Sequence, residues 1–148
     1  MRTGTKFALI DNKQQQVANM SPRIMVLTES FYISRDAVRY SIALAKRLDA
    51  ALVVLMLLHL ESTPKSLRDM NTVLALQTQG EKAIQQPIAE MERAGIFVES
   101  AVRIGDPRSE LLKFMAESDR FHSIVWGGDG KSIHEKHHWM SNLETDIK

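Results

Sequence analysis

The stretch that decides the fold is residues 103–130, which read RIGDPRSELLKFMAESDRFHSIVWGGDG. Asp106 and Pro107 are typical of a helix start, because an aspartate accepts hydrogen bonds from the first turn and a proline there loses none. The residues that follow place an apolar face at helical spacing: Leu111, Leu112, Met115 and Ala116. Ser123–Trp126 then reads as a short buried strand that ends at Gly127. The stretch therefore predicts a capped helix, a strand and a glycine-rich loop.

The same alternation of strands and helices extends back towards the N-terminus. Short apolar runs at 24–27, 52–58 and 97–104 predict three further strands. Between the first two, helical spacing is kept by Ala37, Tyr40, Ser41, Leu44, Ala45 and Leu48, with Ser34 placed ahead of them as a cap. Ile84, Ile88 and Met91 mark a second helix after a polar stretch, and Pro87 inside it predicts a kink or a broken start.

A last helix is predicted at 141–147, so four strands alternate with four helices. This order is typical of an α/β fold, a doubly wound parallel sheet in three layers, α/β/α. Ligands of such sheets bind beyond the carboxyl ends of the strands, where the strand order reverses. We therefore expect a site at the polar tips after the first and fourth strands. These tips are Thr28-Glu29-Ser30 and the loop that contains Gly127, Gly128 and Gly130.

Length and composition exclude several classes of protein. The 148 residues, 44% of them hydrophobic and 25% charged, describe one globular domain at 22–148 that follows a polar N-terminal extension at 1–21. The absence of cysteine excludes thiol catalysis and Cys-ligated metals, and a net charge of +1 argues against a nucleic-acid partner. The longest apolar run, near 50–60, is too short to cross a membrane, and no signal-peptide pattern is seen, which predicts a cytoplasmic location.

Two short motifs are interpreted as accidental. Residues 127–132, GGDGKS, lack the first glycine of a Walker A loop, because Val125 stands in its place. His134-Glu135-Lys136-His137-His138 matches the zinc motif HExxH, but no third histidine follows, so we expect no native metal site. The glycine loop by itself fits two interpretations about equally, a phosphate-binding nest and a plain strand-to-helix turn.

Over 23–147 the chain resembles the universal stress protein family. The resemblance rests on Gly105-Asp106-Pro107 followed by Ile124-Val125-Trp126-Gly127-Gly128-Asp129-Gly130, and on Ala43-Leu44-Ala45-Lys46-Arg47-Leu48 in the first helix. It implies strand order 3-2-1-4-5, of which this chain is expected to have 3-2-1-4 because it ends before a fifth strand. It also implies a homodimer and, in many members, ATP or AMP bound between the first and fourth strands.

The motif of the nucleotide-binding members is matched in part. Their G-x-x-G, nine residues and G-[ST] correspond here to Gly127, Gly130 and Met140-Ser141, and their Asp-Gly-Ser corresponds to Glu29, Ser30 and Phe31. The resemblance therefore implies a weak adenine-nucleotide site. Its expected residues are Thr28, Glu29, Gly127, Gly128, Gly130 and Ser141.

The expected function is that of a stress-response regulatory or binding module, not an enzyme, with AMP, ADP or ATP as its ligand and no metal requirement. Its expected partners are a second copy of the chain and a protein that the sequence does not identify. The alternative is a dimeric interaction protein of the same fold that binds no nucleotide, its former pocket filled by Phe31 and Met140.

Overall fold

The computed structural model describes residues 22–59, 70–118 and 120–128. The predicted N-terminal extension, the predicted closing helix at 141–147 and the HExxH motif lie outside these residues, as do Gly130, Met140 and Ser141. The elements, in chain order, are β1 (Arg23–Thr28), α1 (Arg35–Leu48), β2 (Ala51–Leu58), α2 (Met70–Arg93), β3 (Val98–Ile104), α3 (Pro107–Glu117) and β4 (Ser123–Trp126).

The strands form one parallel sheet in the order β3-β2-β1-β4, which confirms the predicted doubly wound topology. β1 lies in the middle and pairs with β2 on one side and β4 on the other, with Ile24 opposite both Leu52 and Ser123. The strand order therefore reverses between β1 and β4. Their carboxyl ends open the crevice in which such sheets bind ligands.

Side-chain caps set the starts of α1 and α3, as predicted. The Ser34 hydroxyl accepts from the N–H of Ala37 at 3.1 Å, and the Asp106 carboxylate accepts from the N–H of Ser109 at 3.0 Å. The C-terminal cap of α1 is Asp49, which has a left-handed φ of 53° and donates its N–H to carbonyls of the last turn of the helix. Each cap satisfies backbone groups that a helix end leaves exposed.

The second helix is longer than the sequence predicted. α2 runs without interruption from Met70 to Arg93, so the expectation of a start broken near Pro87 was wrong, and the helix includes the later part of the predicted polar stretch. Packing against the sheet outweighs the low helix propensity of glycine here, since Gly80 lies on the buried side of α2. A Cβ added to Gly80 would lie 2.9 Å from Cγ1 of Val102, so the glycine allows the helix to approach the sheet closely.

The two faces of the sheet have different covers. α1 and α2 cover the face that carries Leu52, Val54 and Met56 of β2, whereas α3 covers the face that carries Val53 and Leu55. This arrangement confirms the three-layer prediction for the described residues. Among those residues, no helix combines the length and the apolar character that a membrane span requires.

Candidate functional site

Gly127, directly after β4, makes two backbone hydrogen bonds, one to the carboxyl end of β1 and one to the start of α1. Its N–H donates to the carbonyl of Leu27 at 2.6 Å, and its carbonyl accepts from the N–H of Ser34 at 2.7 Å. The first bond continues the pairing of β4 with β1, and the second holds the start of α1 against the end of β4. The loop after β1 and the loop after β4 therefore form one connected structure.

Space at this junction disfavours a side chain at Gly127, whereas its backbone conformation does not call for glycine. A Cβ at this position would lie 3.1 Å from the carbonyl oxygen of Leu27 and 3.4 Å from Cγ2 of Ile33. In the described residues, left-handed φ values occur at Asp49, Gly95 and Gly105, and not at Gly127 or Gly128. These two glycines therefore do not by themselves form the alternating nest that binds phosphate.

Gly128 begins the part of the second loop that leaves the sheet. A Cβ at Gly128 would lie 3.2 Å from Nε1 of Trp126, so the backbone of the loop runs across the edge of the indole ring. Trp126 is partly buried against the side of the sheet that α3 covers. The indole ring therefore lies against the loop, and a side chain at position 128 would push against the ring.

The loop after β1 is held in shape by two hydroxyl groups. Thr28 is fully buried, and its hydroxyl donates to the carbonyl of Tyr32 at 2.8 Å. The Ser30 hydroxyl oxygen accepts from the N–H of Tyr32 and donates to its carbonyl, each at 3.3 Å. The N–H of Ser30 donates to Oγ1 of Thr28 at 3.3 Å. These bonds close a compact turn, and the backbone is therefore shaped before any ligand binds.

The described members of the predicted site lie together, with different roles. Glu29 directly follows β1 and is half-buried, whereas Thr28 is buried with its hydroxyl committed to the turn. The Thr28 hydroxyl could donate to a ligand only if its bond to Tyr32 broke. Likewise, the N–H of Gly127 is already bonded to Leu27, so donors for a phosphate would start at Gly128.

Sequence reasoning missed two parts of this arrangement. Ser34 was predicted as a helix cap, but its N–H also ties α1 to Gly127, a contact between residues far apart in the chain. The Ser30–Tyr32 bonds were not predicted either, although a serine shortly after a strand end is a known turn former.

An acidic residue, Asp106, follows the carboxyl end of β3, which lies at the same end of the parallel sheet as the candidate site. Gly105 has a φ of 151° and donates its N–H to the carbonyl of Leu58 at 2.9 Å, which joins the ends of β2 and β3. The hydrogen bond from the Ser109 N–H lowers the pKa of Asp106, and the Ser109 hydroxyl, His59 and Arg108 lower it further. Asp106 is therefore ionised at neutral pH, and this carboxylate caps α3.

The described residues contain no group of three or more histidines, cysteines, aspartates or glutamates close enough to hold a metal ion. The polar groups beside the crevice are instead the Glu29 carboxylate and the backbone at Gly128, whereas the Ser30 hydroxyl is bonded to Tyr32. Carboxylates accept hydrogen bonds from sugar hydroxyls, and a glycine backbone can approach phosphate closely. The arrangement is suited to binding a small polar ligand.

Comparison with known proteins gives one family. The sequence profile described as "Universal stress protein family" matches residues 20–145. No curated protein sequence matches the chain.

Solved structures with a similar fold come from the same family. Universal stress protein UspA from Lactobacillus plantarum superposes with a TM-score of 0.65 at 14% identity, covering 86% of this chain and 92% of that one. A universal stress protein family member from Burkholderia pseudomallei gives 0.61 at 20% identity, with coverages of 87% and 92%. The universal stress protein from Archaeoglobus fulgidus gives 0.52 at 14% identity, with coverages of 86% and 90%.

Proposed function

The chain belongs to the universal stress protein family, and on that basis we propose that it is a regulatory module of the stress response that binds an adenine nucleotide weakly. The proposal includes a homodimer in the cytoplasm, no metal and no catalytic step. The observation that carries it is the junction at Gly127, where two hydrogen bonds join the loops after β1 and β4 at the point where the strand order reverses.

In this proposal, Glu29 contacts the ribose and the backbone from Gly128 to Gly130 contacts the first phosphates. Ser141 completes the site, and Met140 crowds the position of the outer phosphates. Glu29 suits its role because it is half-buried at the end of β1, where the Thr28 and Ser30 turn holds the backbone in place. A ligand that keeps its sugar and first phosphates but lacks the third would be favoured. We therefore expect AMP or ADP to bind more tightly than ATP.

A second candidate function is that of an interaction protein that binds no nucleotide. It is supported by the aromatic pair at the tip of the same turn, where Phe31 is 36% exposed and Tyr32 is 60% exposed. Exposed aromatic residues are enriched in protein interfaces. The two functions differ in what truncating Phe31 should do. In the first, Phe31 would obstruct a nucleotide, so its truncation should not weaken nucleotide binding; in the second, Phe31 would contact a partner protein, so its truncation should weaken binding of that partner.

Calorimetric titration of the full chain with AMP, ADP and ATP tests the proposal. We expect a dissociation constant of roughly 10 μM to 1 mM for AMP or ADP, about −7 to −4 kcal/mol. Glu29→Gln keeps the shape of the side chain and removes its charge, and should weaken binding about tenfold, since a hydrogen bond to a charged group contributes about 1.5–3 kcal/mol. Phe31→Ala should leave the affinity unchanged or raise it.

Tyr40→Ala is the matched control, because it truncates another exposed aromatic side chain, on α1 and away from the turn. It should bind nucleotide as the unmodified chain does. The absence of binding heat for all three nucleotides, in the unmodified chain and in Phe31→Ala, would reject the nucleotide site and favour the interaction protein.

A further inference from the structure

Among the described strands, β3 lies at one edge of the sheet. Within the described parts of the chain it pairs with β2 and with no other strand. Glu99 and Ser100 in its first half are exposed. An open strand edge presents unpaired N–H and C=O groups to which another strand can bond. The sequence of this strand determines which partner fits.

The pairing of β3 with β2 shows which backbone groups point outwards. Leu52 donates its N–H to the carbonyl of Phe97, and Gly105 donates its N–H to the carbonyl of Leu58. Because backbone groups alternate in direction along a strand, the odd-numbered residues of β3 bond to β2. The N–H and C=O groups of the even-numbered residues therefore point to the open edge. These residues are Val98, Ser100, Val102 and Ile104.

Antiparallel pairing of this edge with a second copy of itself, centred on Ala101, satisfies these outward groups. It places Ser100 opposite the second copy's Val102 and Val98 opposite its Ile104, so every hydrogen-bonded pair joins two outward-facing residues. About eight hydrogen bonds would form between the two strands. A shift of the register by one residue would instead bring groups already bonded to β2 against the partner.

The same register matches the charges of the strand. Glu99 and Arg103 lie two residues either side of Ala101, so each faces the other residue type in the second copy. Both fall in non-hydrogen-bonded pairs, where opposing side chains approach most closely. Glu99 already contacts Arg23 at 3.3 Å and Arg103 contacts Glu117 at 3.1 Å. The pairing would join these contacts into a row in which positive and negative groups alternate across the interface.

On its own face of the sheet, α2 leaves room for this arrangement. α2 lies over the gap between β2 and β3, because the nearest neighbours of Gly80 are Val102 on one strand and Leu58 and Met56 on the other. With strands about 4.8 Å apart, the two copies of α2 would lie about 10 Å apart across the interface. That separation is at the upper end of the usual 8–10 Å for packed helices.

We propose that two copies of this chain pair antiparallel through β3, centred on Ala101, to form one continuous sheet that joins the four described strands of each copy. This inference deepens the homodimer of the proposed function and rests on it, but it does not depend on the nucleotide site, which lies between β1 and β4. A twofold pairing of this kind is closed, because each copy uses its β3 edge once. Charges on an edge strand usually prevent association, but here each charge meets its opposite.

Sedimentation velocity of the full chain tests the interface with a matched pair of variants at Ser100. Ser100→Pro removes an N–H that points to the open edge, and proline is tolerated at such edge positions. The lost bond occurs twice in the symmetric dimer, so we expect the dissociation constant of the dimer to rise about a hundredfold. Ser100→Ala keeps the N–H and should dimerise as the unmodified chain does. Far-UV circular dichroism shows whether each variant is folded.

Charge reversal tests the register. Glu99→Arg and Arg103→Glu should each weaken the dimer about tenfold, since each places like charges opposite one another twice. The double variant restores opposite charges and should return the dissociation constant to within about threefold of the original. Recovery in the double variant would not follow from damage within one subunit, because both intrachain ion pairs stay broken in it.

Two results would overturn the proposal. An unmodified chain that is monomeric at every concentration would reject both the interface and the homodimer. A dimer that persists unchanged in Ser100→Pro and in both charge reversals would reject the β3 interface and leave the homodimer standing. The absence of nucleotide binding in calorimetry, with a dimer that Ser100→Pro weakens, would reject the nucleotide site and leave the β3 interface standing.

Discussion

The two faces of the sheet differ in what covers them. On the α1 and α2 face, aliphatic side chains of two long helices pack against β1 and β2, and the buried cluster extends from Ile24 to Val125. On the α3 face, the described cover consists of an 11-residue helix that buries Leu111 and Phe114 and of arginine and aromatic groups beside it. In the described residues, one face is therefore covered by aliphatic packing and the other in part by charged and aromatic contacts.

The contacts on the α3 face form a continuous ladder. The Arg23 guanidinium lies 5.0 Å from the ring centre of Phe121, and Phe121 stacks on Phe114 with ring centres 6.4 Å apart. Arg103 in turn lies 5.5 Å from the ring centre of Phe114. The hydrocarbon stems of arginine side chains can cover apolar surface. In the part of the chain that the structure describes, Arg23 and Arg103 therefore extend the cover that the short helix provides.

The largest expected effect comes from truncating neighbouring leucines of β2 that point to opposite faces. Leu52 and Leu55 are both fully buried, Leu52 under α1 and α2 and Leu55 under the α3 face. Each change to alanine should lower the free energy of unfolding by about 2–5 kcal/mol. We expect Leu52→Ala to cost about 1 kcal/mol more, because a short helix can shift to fill a cavity more easily than two long ones. Urea unfolding measures both, and an equal or reversed order would contradict the comparison.

A smaller effect should come from the ladder on the α3 face. The Arg23 side chain is 11% exposed and lies beside Phe121. Arg23→Met keeps most of its apolar stem and removes the guanidinium. We expect a loss of about 1 kcal/mol, shared between the ring contact and the partly exposed ion pair with Glu99. A double-mutant cycle with Phe121→Leu isolates the ring contact, for which we expect a coupling of about 0.5–1 kcal/mol. A coupling near zero would show that the ladder is coincidental.

The smallest effect concerns the start of α3 and depends on pH. The lowered pKa of Asp106 means that the charged carboxylate is favoured in the folded state. Its contribution to stability is therefore present above its ordinary pKa, 3.8, and is lost as the pH falls through the lowered folded value. Asp106→Asn keeps a capping side chain without the charge. The difference in melting temperature between the two proteins should shrink from pH 6 to about pH 3. A difference that does not depend on pH would exclude this origin.

Much of the fold could be predicted from local pattern. The Ser34 and Asp106 caps, the unbroken apolar run of β2 and the short strand before Gly127 each depend on neighbours within a few residues. α2 could not be predicted in full, because Gly80 and Pro87 disfavour a helix locally and its buried face packs against residues that are distant in the sequence, such as Val102 of β3.

The site divides in the same way. The position predicted for the candidate site, after β1 and β4, follows from the alternation of strands and helices. The roles of Thr28 and Gly127 do not, because both depend on contacts that no spacing rule predicts. Thr28 is committed to Tyr32, and Gly127 is committed to Leu27 and Ser34.

The sequence by itself determined the order of the elements, the two capped helix starts and the parallel sheet, because periodicity and capping are properties of adjacent residues. The tertiary structure alone decided that Gly127 joins two loops, that Gly80 lies against the sheet and that Arg23 reaches Phe121 and Glu99. Arg23 and Glu99 are 76 positions apart in the chain, so their meeting depends on how the strands are ordered and aligned. Distances through space become defined once the chain has folded, and close approach, burial and ion pairing all depend on those distances.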